Sequence, residues 1–152
     1  MVELDVEASV TERLDDARLV QDLERMLASL DLDQPLLSVV LCDDARISEL
    51  NASWRQKDGP TDVLSFPQQE HPVTGGILGD LVVSLDTAAR QAEELGHDLE
   101  VEVRVLCAHG LSHLMGHTHN GDEDREVMQA AEVQLLSAIG SSGVGLIERV
   151  SR

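Results

Sequence analysis

Aromatic side chains are almost missing from this chain. Of its 152 residues only Trp54 and Phe66 are aromatic, and tyrosine is absent altogether. A core must therefore be built from Leu, Val, Ile, Ala and Met, and at this length it can be a real one in a single domain. Cysteine is just as scarce. Cys42 and Cys107 stand far apart in apolar surroundings, which excludes a disulfide framework and reads as two reduced, buried thiols. Basic charge is scarce as well: 11 Lys and Arg face 29 Asp and Glu, the net charge is −18, and Lys57 is the one lysine. Such a chain repels polyanions at long range, and taken alone this argues against a nucleic-acid partner. The acidic residues are spread along the chain, as on a solvated surface; a lineage with an acidic proteome would show the same excess. No apolar run approaches the roughly 20 residues of a membrane span, and no basic-then-apolar leader opens the chain. The expected compartment is the cytosol.

What the chain does have is histidine, concentrated in His109-Gly-Leu-Ser-His-Leu-Met-Gly-His-Thr-His119. His109 and His113 are four apart, so on a helix they share one face and can reach one ion. Gly116 tolerates positive φ and can end that helix sharply, bringing His119 back as a third ligand. Three nitrogens with an open fourth position form the pattern of a catalytic zinc site. The spacing equals that of the metzincin signature H-E-x-x-H-x-x-G-x-x-H, but Gly110 occupies the place of the glutamate base, which argues against ordinary peptide hydrolysis. Three alternatives stand beside this reading. The histidines can be a solvated helix end, His117 can replace His119, and Cys107 can supply a fourth ligand, although it points elsewhere on a helix.

Along the chain, residues 2–7 alternate apolar and acidic, the mark of a half-buried strand. Thr11 is placed to cap a helix with Leu14, Leu19, Leu23, Met26, Leu27 and Leu30 on one face, ending before Pro35. Leu36–Cys42 reads as a buried strand. Asp43 or Asp44 caps a second helix to about Gln56, and Lys57–Pro60 is a turn. Thr61–Pro67 and Leu78–Ser84 read as strands, separated by a polar loop over Gln68–Gly76. Three helices follow, over about Asp86–Leu95, Leu99–Met115 and Asp122–Ile139, closed in turn by Gly96, the histidine turn and Gly140. The Leu99–Met115 helix is apolar round much of its circumference and so is expected to be buried. Beyond Ser141 lies a short Gly/Ser-rich tail with an apolar patch, Val144–Val150. The sum is a single α+β domain, 1–152, with about four strands in one mixed sheet, about five helices and a zinc site at the end of a buried helix.

Other polar residues allow two readings each. Arg55, at the end of the second helix, can pair with a phosphate or be a surface arginine. Asp62 and Asp80 can orient a ligand histidine or cap a turn. Ser65 can touch substrate or, the plainer reading, end a strand. His71 and His97 fall in loops and are expected to be solvated.

Three segments in order carry a resemblance. The histidine segment resembles the motif H-G-x-x-H-L-x-G-x-x-H of the YbeY endoribonuclease family. Asn51–Arg55 followed by Thr61–Pro67 resembles its N-x-x-x-R and T-D-V-L-S-F-P stretch, and Leu78–Leu81 resembles its L-G-D-I segment. Together they cover about residues 36–138. The resemblance implies a bacterial α+β metalloprotein with single-strand-specific endoribonuclease activity. It implies a role in ribosomal RNA maturation, notably at the 3′ end of small-subunit (16S) RNA, and in ribosome quality control. It implies one zinc ion on His109, His113 and His119, a functional Arg55, ribosomal RNA and small-subunit proteins as partners, and no membrane. Two departures stand out. His117 and Thr118 occupy the places where the family commonly has Tyr-Asp, so no carboxylate is available at Thr118. The negative charge also suits RNA poorly unless Arg55 and Lys57 make a local basic groove or a ribosomal partner assists. The expected mechanism is zinc-assisted phosphodiester hydrolysis, with Arg55 and the His113-bound ion at the reacting phosphate. The sequence identifies no general base; His117 or a hydroxide on the ion can take that role. The competing classes are a non-catalytic, zinc-stabilised ribosome-assembly factor and a zinc hydrolase acting on peptides or small amides.

Overall fold

The computed structural model of the protein describes residues 1–68 and 75–141. His71 and the Val144–Val150 patch lie outside the described residues. In chain order the elements are β1 (Val2–Val6), α1 (Asp16–Ala28), β2 (Asp33–Cys42), α2 (Asp44–Arg55), β3 (Val63–Pro67), β4 (Gly75–Ser84), α3 (Leu85–Leu95), α4 (Leu99–Leu114) and α5 (Asp122–Ala138), with a 3₁₀ turn over Ala8–Val10. The strands form one mixed sheet in the order β1-β2-β4-β3, in which β3 alone runs antiparallel to its neighbour. The expected α+β class, four strands and five helices are all present. No helix among the described residues is long and apolar enough to cross a membrane.

Local chemistry sets most of the boundaries. Asp43 accepts from the Arg46 N–H at 2.9 Å and caps α2, as expected. The start of α1 differs from expectation. Thr11 is not its cap, because the Thr11 hydroxyl donates back to the Ala8 carbonyl at 3.3 Å within the 3₁₀ turn. Asp15 takes over, accepting from the Arg18 N–H at 3.1 Å. The second strand starts at Asp33 rather than Leu36, with Pro35 inside it. The ladder to β4 is irregular between Asp33 and Leu36, and such a bulge is where a strand tolerates a residue that cannot donate.

The period of two divides the sheet into two faces. Leu37, Val39, Leu41, Leu81 and Val83 face the main core, where α4 lies against the sheet and contacts α1, α3 and α5. Eleven of the 16 residues of α4 are buried, so the expected all-round apolar helix is the spine of the domain. Cys42, Leu64 and Val82 face the other way, under Ile47 of α2. Gly79 is the close-approach point between α4 and β3. Its φ is +148°, and a Cβ there would run into the Phe66 carbonyl and stand 2.9 Å from Leu114 Cδ2.

Candidate metal centre

The histidine segment begins on the last two turns of α4. His109 is buried, His113 half-buried and His119 exposed. One ligand nitrogen from each lies within 4.8 Å of the other two, and the ring centroids are 4.6, 5.5 and 6.1 Å apart. The return of the chain is a Schellman turn. The Gly116 N–H donates to the His113 carbonyl at 2.9 Å and the His117 N–H to the Ser112 carbonyl at 3.1 Å. Gly116 adopts φ +92° to close it, the left-handed conformation that glycine supplies at little cost.

The same turn orients a ligand. The His117 carbonyl, aimed back by the turn, accepts from His113 Nδ1 at 3.1 Å. On the other ring, His109 Nδ1 meets Glu132 Oε2 of α5 at 2.8 Å, and Glu132 is fully buried. With both Nδ1 atoms donating, Nε2 of each ring keeps its lone pair for an ion. Burial, then the neighbouring His109 and His119, bring the His113 pKa down to about 4, so its ring is neutral at pH 7. A neutral imidazole with a fixed tautomer is what a divalent cation needs, and His113 supplies it. The residues present therefore fit a metal ion. Among the described residues the group able to hold one is His109, His113 and His119; His117 is not a member.

The three rings look into an open cavity of about 660 Å³, whose wall includes Trp54, Arg55, Asp62, Ser65, Phe66 and His117. Arg55 is the last residue of α2 and reaches this wall, whereas Lys57 is exposed outside it. The structure decides between several of the alternatives and corrects one expectation, that of a solvated His97. Asp80 pairs with Ser38 and Phe66 in the ladder and takes part in a separate cavity on the far face of the sheet, because the strand period turns it away from α4. It orients none of His109, His113 and His119. Asp62 does reach the cavity, but its carboxylate accepts from the Val63 N–H at 2.7 Å and Gln91 Nε2 at 3.2 Å, so it fastens the start of β3 to α3. Cys107 lies in the main core with its pKa pushed up to about 12 by burial, and is no ligand. His97 is half-buried rather than freely solvated; its Nε2 meets the buried Glu102 at 2.7 Å. Ser65 donates to the Gly110 carbonyl at 3.3 Å and ties β3 to α4.

Gly110 itself is explained by packing. A Cβ there would stand 2.7 Å from Leu81 Cδ2 and 3.2 Å from Ser65 Oγ. The position that carries the base in metzincins is pressed against the sheet, where a side chain would have to displace Leu81 and crowd Ser65.

The sequence profile of the family described as Endoribonuclease YbeY matches residues 5–140. The chain belongs to the endoribonuclease YbeY family. It is 48% identical over 120 residues to Endoribonuclease YbeY of Aquifex aeolicus, covering 78% of this chain and 80% of that one. It is 46% identical over 122 residues to Endoribonuclease YbeY of Anaeromyxobacter dehalogenans, covering 80% of this chain but 63% of the longer relative. A solution structure of a protein from Thermotoga maritima shares the fold with a TM-score of 0.60 at 26% identity, covering 90% of each chain.

Glu132 was not singled out by sequence reasoning, although a signal existed. It lies on the buried stripe of α5 with Met128, Leu135 and Leu136, and an acid on an apolar face requires a polar partner.

Proposed function

We propose that this chain is a zinc-dependent endoribonuclease specific for single strands. It acts in ribosomal RNA processing, at the 3′ end of small-subunit RNA, and in ribosome quality control. The observation that carries the proposal is the convergence of His109, His113 and His119 on a cavity that Arg55 also lines. The names of the relatives and the family support RNA as substrate, and small-subunit ribosomal proteins are the accompanying partners. Three imidazoles facing an open cavity suit zinc in a catalytic role.

The three histidines would hold the ion, with Glu132 and the His117 carbonyl fixing the rings on which they act. When bound, the ion would supply Lewis-acid polarisation of a phosphoryl oxygen and would acidify a water. Arg55 binds the scissile phosphate through its guanidinium fork and stabilises the charge that grows on it. Asp62, fastened to Val63 and Gln91, holds the β3 wall of the cavity in place. Cleavage of a single-stranded RNA by metal-loaded wild type, Arg55→Ala and His113→Ala tests this. Each variant should lose about 10²-fold or more in kcat; full activity in both would discard the assignment.

The net charge of −18 favours one second reading, a zinc-stabilised assembly factor that binds proteins rather than cutting RNA. Co-sedimentation with ribosomal subunits, together with no nuclease activity in a contaminant-controlled preparation, would select it.

A further inference from the structure

The only two aromatic residues of the chain meet beside the candidate metal centre. Trp54, one residue before Arg55, lies edge-on to Phe66 of β3, with ring centroids 5.8 Å apart and planes at 72°. Trp54 is 67% exposed, more than any other large hydrophobic residue described. Of those exposed residues it is the one that lines the histidine cavity. An edge-to-face contact occupies at most one face of the indole, and the high exposure of Trp54 leaves ring surface available to a ligand.

The indole also forms a boundary. Trp54, Ser65, Phe66 and Pro67 belong both to the histidine cavity and to a second cavity of about 610 Å³ on the far face of the sheet. The second cavity has an apolar floor of Val40, Leu50 and Val82 and carries Asp80. Its one cation, Arg46, is engaged by Glu7 at 3.5 Å and Glu49 at 3.3 Å. Among the described residues a phosphate finds no free cation here. With Asp5, Glu7 and Asp80 as acceptors beside that apolar floor, the lining suits a flat group with an apolar face and N–H donors, and a nucleobase is such a group.

We infer that Trp54, backed by Phe66, is a stacking platform that positions a base of the single-stranded RNA next to the scissile phosphate. A flanking base is received in the cavity beyond it. This rests on the proposed function and deepens it. It also answers how so acidic a chain holds RNA: π-stacking is indifferent to net charge and to base identity, and is denied to a duplex whose bases are already stacked.

Trp54 is the single tryptophan, so intrinsic fluorescence reads the contact directly. Rapid mixing of the metal-loaded protein with a short unstructured oligoribonucleotide should quench it saturably before cleavage. An abasic strand of equal length and a blunt RNA duplex should not. Trp54→Ala should raise KM about tenfold or more with kcat within about twofold, and Trp54→Phe should restore most of it; an unchanged melting curve confirms the fold of each. No quenching by RNA, equal quenching by the abasic strand, or an unaltered KM in Trp54→Ala overturns the inference. So does quenching by small-subunit proteins alone, which assigns the indole to a protein partner. RNA that quenches but is never cut sinks the cleavage reading and leaves the stacking; cleavage without quenching does the reverse.

Discussion

At the scale of single residues, Glu132 has the most to say about the candidate metal centre. Its carboxylate holds His109 at 2.8 Å in a fully buried position, where it fixes both ring orientation and tautomer. Partners of this kind commonly contribute 10- to 100-fold in metal affinity. Glu132→Gln should therefore weaken zinc binding by about that factor in a calorimetric titration. Affinity equal to wild type would mean that the ligand histidines are ordered by the Schellman turn alone. Gly110 makes the opposite kind of prediction. Gly110→Ala should gain about 1 kcal/mol in helix propensity, but it must displace the buried Leu81 side chain, which costs about 1–3 kcal/mol. The net expectation is a lowered melting temperature, together with a looser contact between α4 and β3. A variant more stable than wild type would show that the helix can lift off the sheet without penalty.

At the scale of elements, Asp44 joins three of them. At the start of α2, its carboxylate accepts from Ser84 Oγ of β4 at 2.7 Å and Thr87 Oγ1 of α3 at 2.6 Å, and pairs with Arg90 at 2.9 Å. Burial alone would raise its pKa, but these hydrogen bonds and the Arg90 charge outweigh it and hold the pKa below the ordinary 3.8. A depressed carboxylate contributes stability above its unfolded pKa and loses it as pH falls through the folded one. Wild type should lose this contribution only below about pH 4. Asp44→Asn should be less stable at neutral pH by about 1–3 kcal/mol, and the gap between the two proteins should close in acid. Denaturant melts at a series of pH values measure it; a gap independent of pH would remove the charge from the explanation. Much of this level could be read from the chain. Asp43, Gly96 and Gly116 mark helix ends through bonds to residues within five positions, and the apolar period of α4 announces its burial. The start of α1 was misread for the same local reason turned round, because Thr11 spends its hydroxyl on a preceding turn and Asp15 was the nearer cap.

For the molecule as a whole, the charge is the dominant fact. Among the described residues one cation, Arg55, lines the cavity of a chain with net charge −18. For single strands the affinity falls with salt as about −0.7 per phosphate neutralised. With one such contact, raising salt from about 50 to 200 mM should weaken RNA binding by about threefold at most, where a basic binder loses orders of magnitude. A steep loss in a filter-binding series would place several cations on the strand and contradict the acidic surface as the binding context. Metal should also couple to global stability, because an ion bound only by the folded chain adds about 2.7 kcal/mol at a hundred times its Kd. Zinc should raise the melting temperature of wild type and leave that of His119→Ala nearly unchanged.

By itself the sequence determined the order and kind of the elements, the pair of histidines on one helix face and the glycine that turns the third toward them. Those depend on bonds and periods that span a few residues. Only the tertiary structure decided which acid serves the centre, because Glu132 comes to His109 from 23 residues away on another helix. It also decided that Asp80 belongs to the far face of the sheet, that Gly110 is empty for want of space, and that the two scarce aromatics stand together at the mouth of the site. Packing settles such matters, since a side chain's surroundings are set by whatever neighbours the fold brings against it.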